Sequence, residues 1–335
     1  MGNNQNPGGI EQVRIGIPGA LFYFVYYPMW KVFFEELETE VITSGKTTRE
    51  MVDNGVREAL ADACVPVKLF FGHAMALKDK VDQLFIPRIV CLNSKTVYCP
   101  KFLGLPDMIR HGLPDMPPVI DVRIDTRDKR LAALRAFMAT GHMLKKSTPA
   151  VLGAYAKSRV TQMKFYRLLR SGFQPAEAID MVFNRIKAKP VITTGQMTFA
   201  VVGYPYIIND QYISVDVVNK LRRMGINVLT PDNISPLSVA MQHYDSGKRM
   251  FWTFSDKVLR ATRYFADRKN IDGIIHLSAF GCGPDSIVDR FIHMDNSRRS
   301  VPFMSLTIDE HSGEAGIGTR LEAFVDMVKR KKRGE

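Results

Sequence analysis

Four cysteines fall in the chain, at positions 64, 91, 99 and 282, and three of them share a setting. Cys64 stands in DACVPVK with Pro66 two residues on, and Cys99 in YCPKFLGLPD is followed by Pro100. Cys282, in SAFGCGPDSIV, lies between Gly281 and Gly283 with Pro284 behind it. Proline in a first turn marks a helix start, and helix N-termini favour a thiolate through unpaired N–H groups and the helix dipole. Gly281 and Gly283 permit unusual φ angles and close approach of a bulky group, which suits a cofactor held by backbone N–H groups. Three converging thiolates would serve zinc or an iron–sulfur cluster. Structural zinc sites bring ligands in close pairs such as CxxC, and this chain has none. Widely spaced single cysteines better suit a [4Fe–4S] cluster on Cys64, Cys99 and Cys282, with the fourth iron left open. Cys91, in IVCLNS, has neither Gly nor Pro beside it. It reads as a buried thiol, with a further ligand as the alternative.

Other polar residues fall near these motifs. Lys68 lies one helical turn after Cys64 and Lys101 two residues after Cys99. Lysines there would offset the negative charge of a cluster and tune its potential. The plainer reading is capping or ordinary salt bridging, which applies equally to Asp107 and Asp285. A second dense polar stretch, IDEHSGEAG (308–316), offers Glu310 and His311 for proton transfer. Its plainer reading is a loop whose carboxylates cap the last helix. SGKTT (44–48) imitates the end of a P-loop, but that pattern requires Gly where Glu40 stands. GEAGIG does not satisfy GxGxxG, and neither HExxH nor GxSxG occurs. No ATPase motif is visible.

The elements that must position these residues alternate between strand and helix. VRIGIP (13–18) reads as a strand, followed by an aromatic helix to about Leu37, a strand EVITS (40–44) and a helix capped by Thr47-Thr48 running to about Asp62. A short helix follows Cys64, and QLFIPRIV (83–90) is an apolar run of the kind buried on both faces of a parallel sheet. From Thr126 to about Lys187 the pattern is helical without strands. Alternation returns with TFAVVGYP, INVLTP, DGIIHLSAF and VPFMSLTID as strands and a final helix from about Thr319. The fold class expected is α/β: two Rossmann-like, doubly wound parallel-sheet domains with a helical bridging segment. The divisions are a disordered leader at 1–12, an N-terminal α/β domain at 13–125, a helical segment at 126–190 and a C-terminal α/β domain at 191–335. Ligands would bind in the cleft at the strand C-termini.

Composition limits the remaining readings. The 335 residues are 46% hydrophobic and 24% charged, as in an ordinary soluble globular protein. MGNNQNPGG lacks the charged and apolar regions of a signal peptide, Asn6 breaks the myristoylation pattern, and LFYFVYYPMW is too short to span a bilayer. A cytoplasmic protein with no membrane association is the expectation. Four cysteines do not make a secreted disulfide framework. Lys and Arg number 46 against 34 Asp and Glu, a net charge of +12, part of it in the tail KRKKR (329–333). Such charge suits an acidic protein partner or a phosphate-bearing substrate. No RNP-like strand, zinc finger or helix-turn-helix supports nucleic acid.

Taken together, DACVPVK, YCPKFLGLPDMI, FGCGPDS and IDEHSGEAGIGTRLEAF resemble the CoA enzyme activase-related family of anaerobes. These are relatives of the 2-hydroxyacyl-CoA dehydratase, benzoyl-CoA reductase and double-cubane-cluster proteins. The resemblance runs from about Arg14 to Met327. It implies two Rossmann-like domains, an oxygen-sensitive iron–sulfur cluster with Cys64, Cys99 and Cys282 as ligands, and a reductase or dehydratase component. A separate iron–sulfur ATPase activator would supply low-potential electrons. A double-cubane cluster would want about six thiolates, so four cysteines imply a single [4Fe–4S] per chain. The resemblance leaves open an acyl-CoA or other small substrate and homo- or hetero-oligomeric assembly. An iron–sulfur electron carrier or assembly factor without a substrate is the second reading, and a zinc-stabilised or metal-free binding protein the third.

Overall fold

The computed structural model describes residues 12–93, 95–127, 131–184, 197–243, 249–296 and 301–334. The proposed leader falls almost wholly outside them, as does the end of the helical segment from 185 on. The chain opens with β1 (Arg14–Ile17), α1 (Tyr23–Glu36), β2 (Glu40–Thr43), α2 (Arg49–Glu58) and α3 (Val65–Met75). It continues through β3 (Gln83–Phe85), β4 (Arg88–Cys91), α4 (Pro100–Gly112), β5 (Val119–Ile120) and β6 (Arg123–Asp125). Four strands form a parallel sheet in the order β2-β1-β3-β5. Gly16 lets β1 sit close to its neighbours: a Cβ there would meet Leu84 Cδ2 at 2.8 Å.

The apolar run at 83–90, expected as one strand, is two. Its first half is β3, within the main sheet, and its second half is β4, which pairs with β6 in a separate parallel ribbon. Pro87 stands at the break. It has no N–H to give a ladder, so the run cannot continue through it in one sheet. The helix after Thr48 is also shorter than expected, ending at Glu58.

The middle of the chain is helical, as its pattern implied: α5 (Ala132–Met143), α6 (Thr148–Arg170) and α7 (Pro175–Phe183). α6 packs along α1, which contains Pro28. The Gln162 carboxamide on α6 bonds backbone groups on both sides of that proline. Its Nε2 donates to Val25 O at 2.7 Å, and its Oε1 accepts from Met29 N at 3.2 Å. One amide thus satisfies a carbonyl and an N–H on either side of the proline.

A second set follows: β7 (Thr198–Gly203), α8 (Pro205–Asn209), α9 (Val217–Arg223), β8 (Asn227–Leu229), α10 (Pro236–Ala240) and α11 (Thr253–Ala266). It ends with β9 (Gly273–Ala279), α12 (Gly283–Asn296), β10 (Phe303–Ile308) and α13 (Glu314–Arg333). The sheet runs β10-β9-β7-β8, all parallel. β9 is buried along its whole length, as an apolar run flanked by helices should be. α13 begins five residues before Thr319, at Glu314. The α/β class with parallel sheets is therefore what the chain adopts. One buried cluster, from Ile15 to Val328, runs through both sheets.

Candidate functional site

Two helix starts and one strand-to-helix turn meet at a narrow pocket. Cys64 is the N-cap of α3, Cys99 the N-cap of α4, and Cys282 immediately precedes α12. Each cysteine carbonyl enters its own helix, accepting from Val67 N and Lys68 N, from Phe102 N, and from Ser286 N respectively. The prolines read from sequence as helix starters stand at these first turns. All three cysteines line the same pocket, of about 20 Å³, with Tyr98, Phe102, Tyr204, Tyr206, Trp252 and Phe254 as its aromatic wall. That is room for a water molecule or so.

Close backbone packing fixes this arrangement. Gly55 on α2 and Gly72 on α3 let the two helices touch: added Cβ atoms would fall 2.0 Å from Lys68 O and 1.8 Å from Met51 O. Gly281 takes a left-handed φ of +75°, and a Cβ there would lie 3.4 Å from Cys64 Cα. The turn carrying Cys282 therefore rests directly against Cys64. Gly283, by contrast, faces open space.

Burial works against the thiolate form that helix N-termini favour. Burial pushes the Cys64, Cys99 and Cys282 thiols above the usual cysteine value. For Cys282, the Asp285 carboxylate and the other two sulfurs add to the rise. N–H groups of Val67, Lys101 and Asp285 pull the other way, as does the Lys101 ammonium at Cys64, and burial outweighs them.

The remaining sequence candidates divide between two places. Lys101 lines the cysteine pocket, its Nζ 3.5 Å from Asp62 O. Lys68 turns the other way and donates to Glu310 Oε1 at 2.6 Å in an ion pair only 13% and 11% exposed. Burial raises the Glu310 carboxyl, but Lys68 overrides this and leaves it below the usual value. Glu310 and His311 sit in a separate open cleft of about 920 Å³, bounded by α2, the 211–216 segment and the 309–314 loop. Asp107 serves an Arg88–Asp121–Arg110 network. Cys91 is fully buried in β4, within 3.6 Å of Thr126 Oγ1, and is not part of the pocket wall.

Sequence reading missed three features. One is the aromatic wall, whose members come from three separate stretches, 98–102, 204–206 and 252–254. Another is Val215 and Asp216, adjacent residues at φ 52° and 54° on the cleft; a β-branched residue at positive φ is rare. The last is a buried polar chain on the rejected SGKTT loop. Ser44 Oγ lies 2.7 Å from His73 Nδ1, His73 Nε2 lies 2.9 Å from Thr47 Oγ1, and Thr47 donates to Asp210. The Ser-Gly-Lys-Thr spelling was the available signal, and it pointed to phosphate rather than to this link between the two sheets.

Among the described residues, no group of three His, Cys, Asp or Glu side chains is disposed to hold a metal ion. No helix among them is long and apolar enough to cross a membrane. No curated protein matches the chain. A family model, CoA enzyme activase uncharacterised domain (DUF2229), matches residues 14–234. That span takes in Cys64, Cys99, Lys68 and Lys101 and stops short of Cys282 and the 309–314 loop. With well over half its length matched, the chain belongs to the CoA enzyme activase uncharacterised domain family.

Proposed function

We propose that this chain is an iron–sulfur component of a reductase or dehydratase, with Cys64, Cys99 and Cys282 as the ligands of one [4Fe–4S] cluster. The observation that carries this reading is the placing of three cysteines, from three distant stretches, at three helix starts around one aromatic pocket. The donors fit such a group. Structural zinc sites bring their ligands in close pairs such as CxxC, and this chain has none. A cubane spreads its thiolates over separate irons and tolerates wider spacing. A cluster held by these three sulfurs would need more room than the about 20 Å³ of the pocket as it stands.

When bound, such a cluster supplies one-electron chemistry at low potential. The residues of the chain do the rest. The aromatic wall keeps water from the sulfurs, and Lys101 offsets negative charge at the pocket. The cleft beside Glu310 and His311 has the volume for an acyl-CoA or other small substrate, and these two side chains would move protons there. A separate ATP-hydrolysing activator would deliver the electron, since the chain carries no P-loop of its own. The small size of the cysteine pocket favours a second reading, an electron carrier or assembly factor without a substrate.

Iron and acid-labile sulfide analysis of anaerobically purified protein, with EPR before and after reduction, tests the cluster. Near four irons per chain is expected, and a colourless iron-free protein would sink both readings. Calorimetry with ATP should show no binding to the chain alone. Reduction by dithionite that proceeds fully without an ATPase would favour the carrier.

A further inference from the structure

Trp252 stands in the wall of the cysteine pocket, and its indole N–H is buried with no hydrogen-bond partner among the described residues. A buried indole N–H ordinarily finds an acceptor, so an orphan of this kind calls for one. The residue is held from both sides. Val97 N donates to Phe251 O at 3.1 Å, and Thr253 N donates to Val97 O at 2.8 Å, which makes Val97 and Trp252 a parallel bridge. Thr96 and Thr253 hydroxyls lie 2.9 Å apart beside it. Trp252 is thereby tied to the short segment that ends in Cys99.

Two hydroxyls of the wall have protein partners. Tyr98 bonds Tyr26 at 3.2 Å, and Tyr204 bonds Ser255 at 2.7 Å. The indole is a firmly held donor in the pocket wall with no acceptor among the described residues. We infer that Trp252 Nε1–H donates a hydrogen bond to a sulfur of the cluster held by Cys64, Cys99 and Cys282, and so tunes its potential. This rests on the reading that the pocket holds such a cluster. An N–H···S bond stabilises the more negative sulfur, hence the reduced state, and raises the midpoint potential. Trp252 acts as a positioning and tuning residue.

The full chain, reconstituted anaerobically with ferrous iron and sulfide, provides the test. Wild type and Trp252→Phe are compared by iron content, by redox titration followed by EPR, and by pulsed EPR in H2O and D2O. The expected result is equal iron in both proteins and a lower midpoint potential in the variant. An exchangeable proton coupled to the reduced cluster should be seen in wild type and lost in the variant. Benzothienylalanine at position 252 keeps the shape of the indole without its N–H. It should reproduce both changes, and it serves if the phenylalanine variant folds or loads poorly. Unchanged potential and proton coupling with full iron content would overturn the inference while leaving the cluster standing. Failure of wild type itself to take up iron would remove the cluster reading and this inference with it.

Discussion

At the scale of single residues, four cysteines of one chemical type have two structural situations. Cys91 packs inside β4 and away from the pocket, whereas Cys64, Cys99 and Cys282 face one another's surroundings across it. Cys91→Ser should therefore leave the iron content of anaerobic protein unchanged, while serine at any of the other three lowers it. Equal loss at all four positions would point to a closed four-thiolate site and to the carrier reading. The Lys68–Glu310 pair makes a different prediction. Removing the ammonium strands a carboxylate only 11% exposed, so Lys68→Met should cost about 2 kcal/mol in urea unfolding. Glu310→Gln in the same background should restore part of it. Non-additivity of this kind is the mark of a direct pair. Proline beside cysteine revealed the helix starts from sequence. The partner of Lys68 was not visible there, because it lies 242 positions away.

At the scale of elements, hydrophobic alternation located most strands and helices, and it misread one apolar run where a proline interrupts a ladder. Pro87 splits one apolar run between two sheets, which periodicity cannot reveal because both halves remain apolar and buried. Pro28 does not break α1, and Gln162, on a helix more than a hundred residues away, bonds Val25 O and Met29 N on either side of it. Gln162→Leu should keep the apolar contact of α6 with α1 and leave Val25 O and Met29 N without that partner. A loss of roughly 2 kcal/mol is expected by thermal or urea unfolding. A neutral result would mean that α1 closes its own ladder without help.

At the scale of the whole molecule, two buried histidines set opposite limbs of a stability profile. Burial lowers His73 to about 4. Its folded value lies below the unfolded value near 6.5, so the unfolded chain binds the extra proton and stability falls as pH drops from about 6.5 toward 4. His276 is raised to about 9: burial opposes its charge, but Asp285 at 3.4 Å and Asp289 at 2.9 Å outweigh it. Its contribution is complete below about 6.5 and is lost as pH rises toward 9. Urea midpoints measured from pH 4 to 9.5 should peak near 6.5, each limb sloping by about 1.4 kcal/mol per pH unit per histidine. Asp289→Asn should flatten the alkaline limb only, and a featureless profile would contradict both assignments. By itself the sequence determined the α/β class, the helical middle, the three helix starts and the cysteines that stand at them, since apolar period, proline and glycine act on neighbouring residues. Only tertiary structure decided that the three cysteines share a pocket, that burial raises their thiol pKa values, and that Lys68 and Glu310 belong to one buried pair. Water exclusion and ion pairing depend on what the rest of the chain brings near, and no local spacing records that.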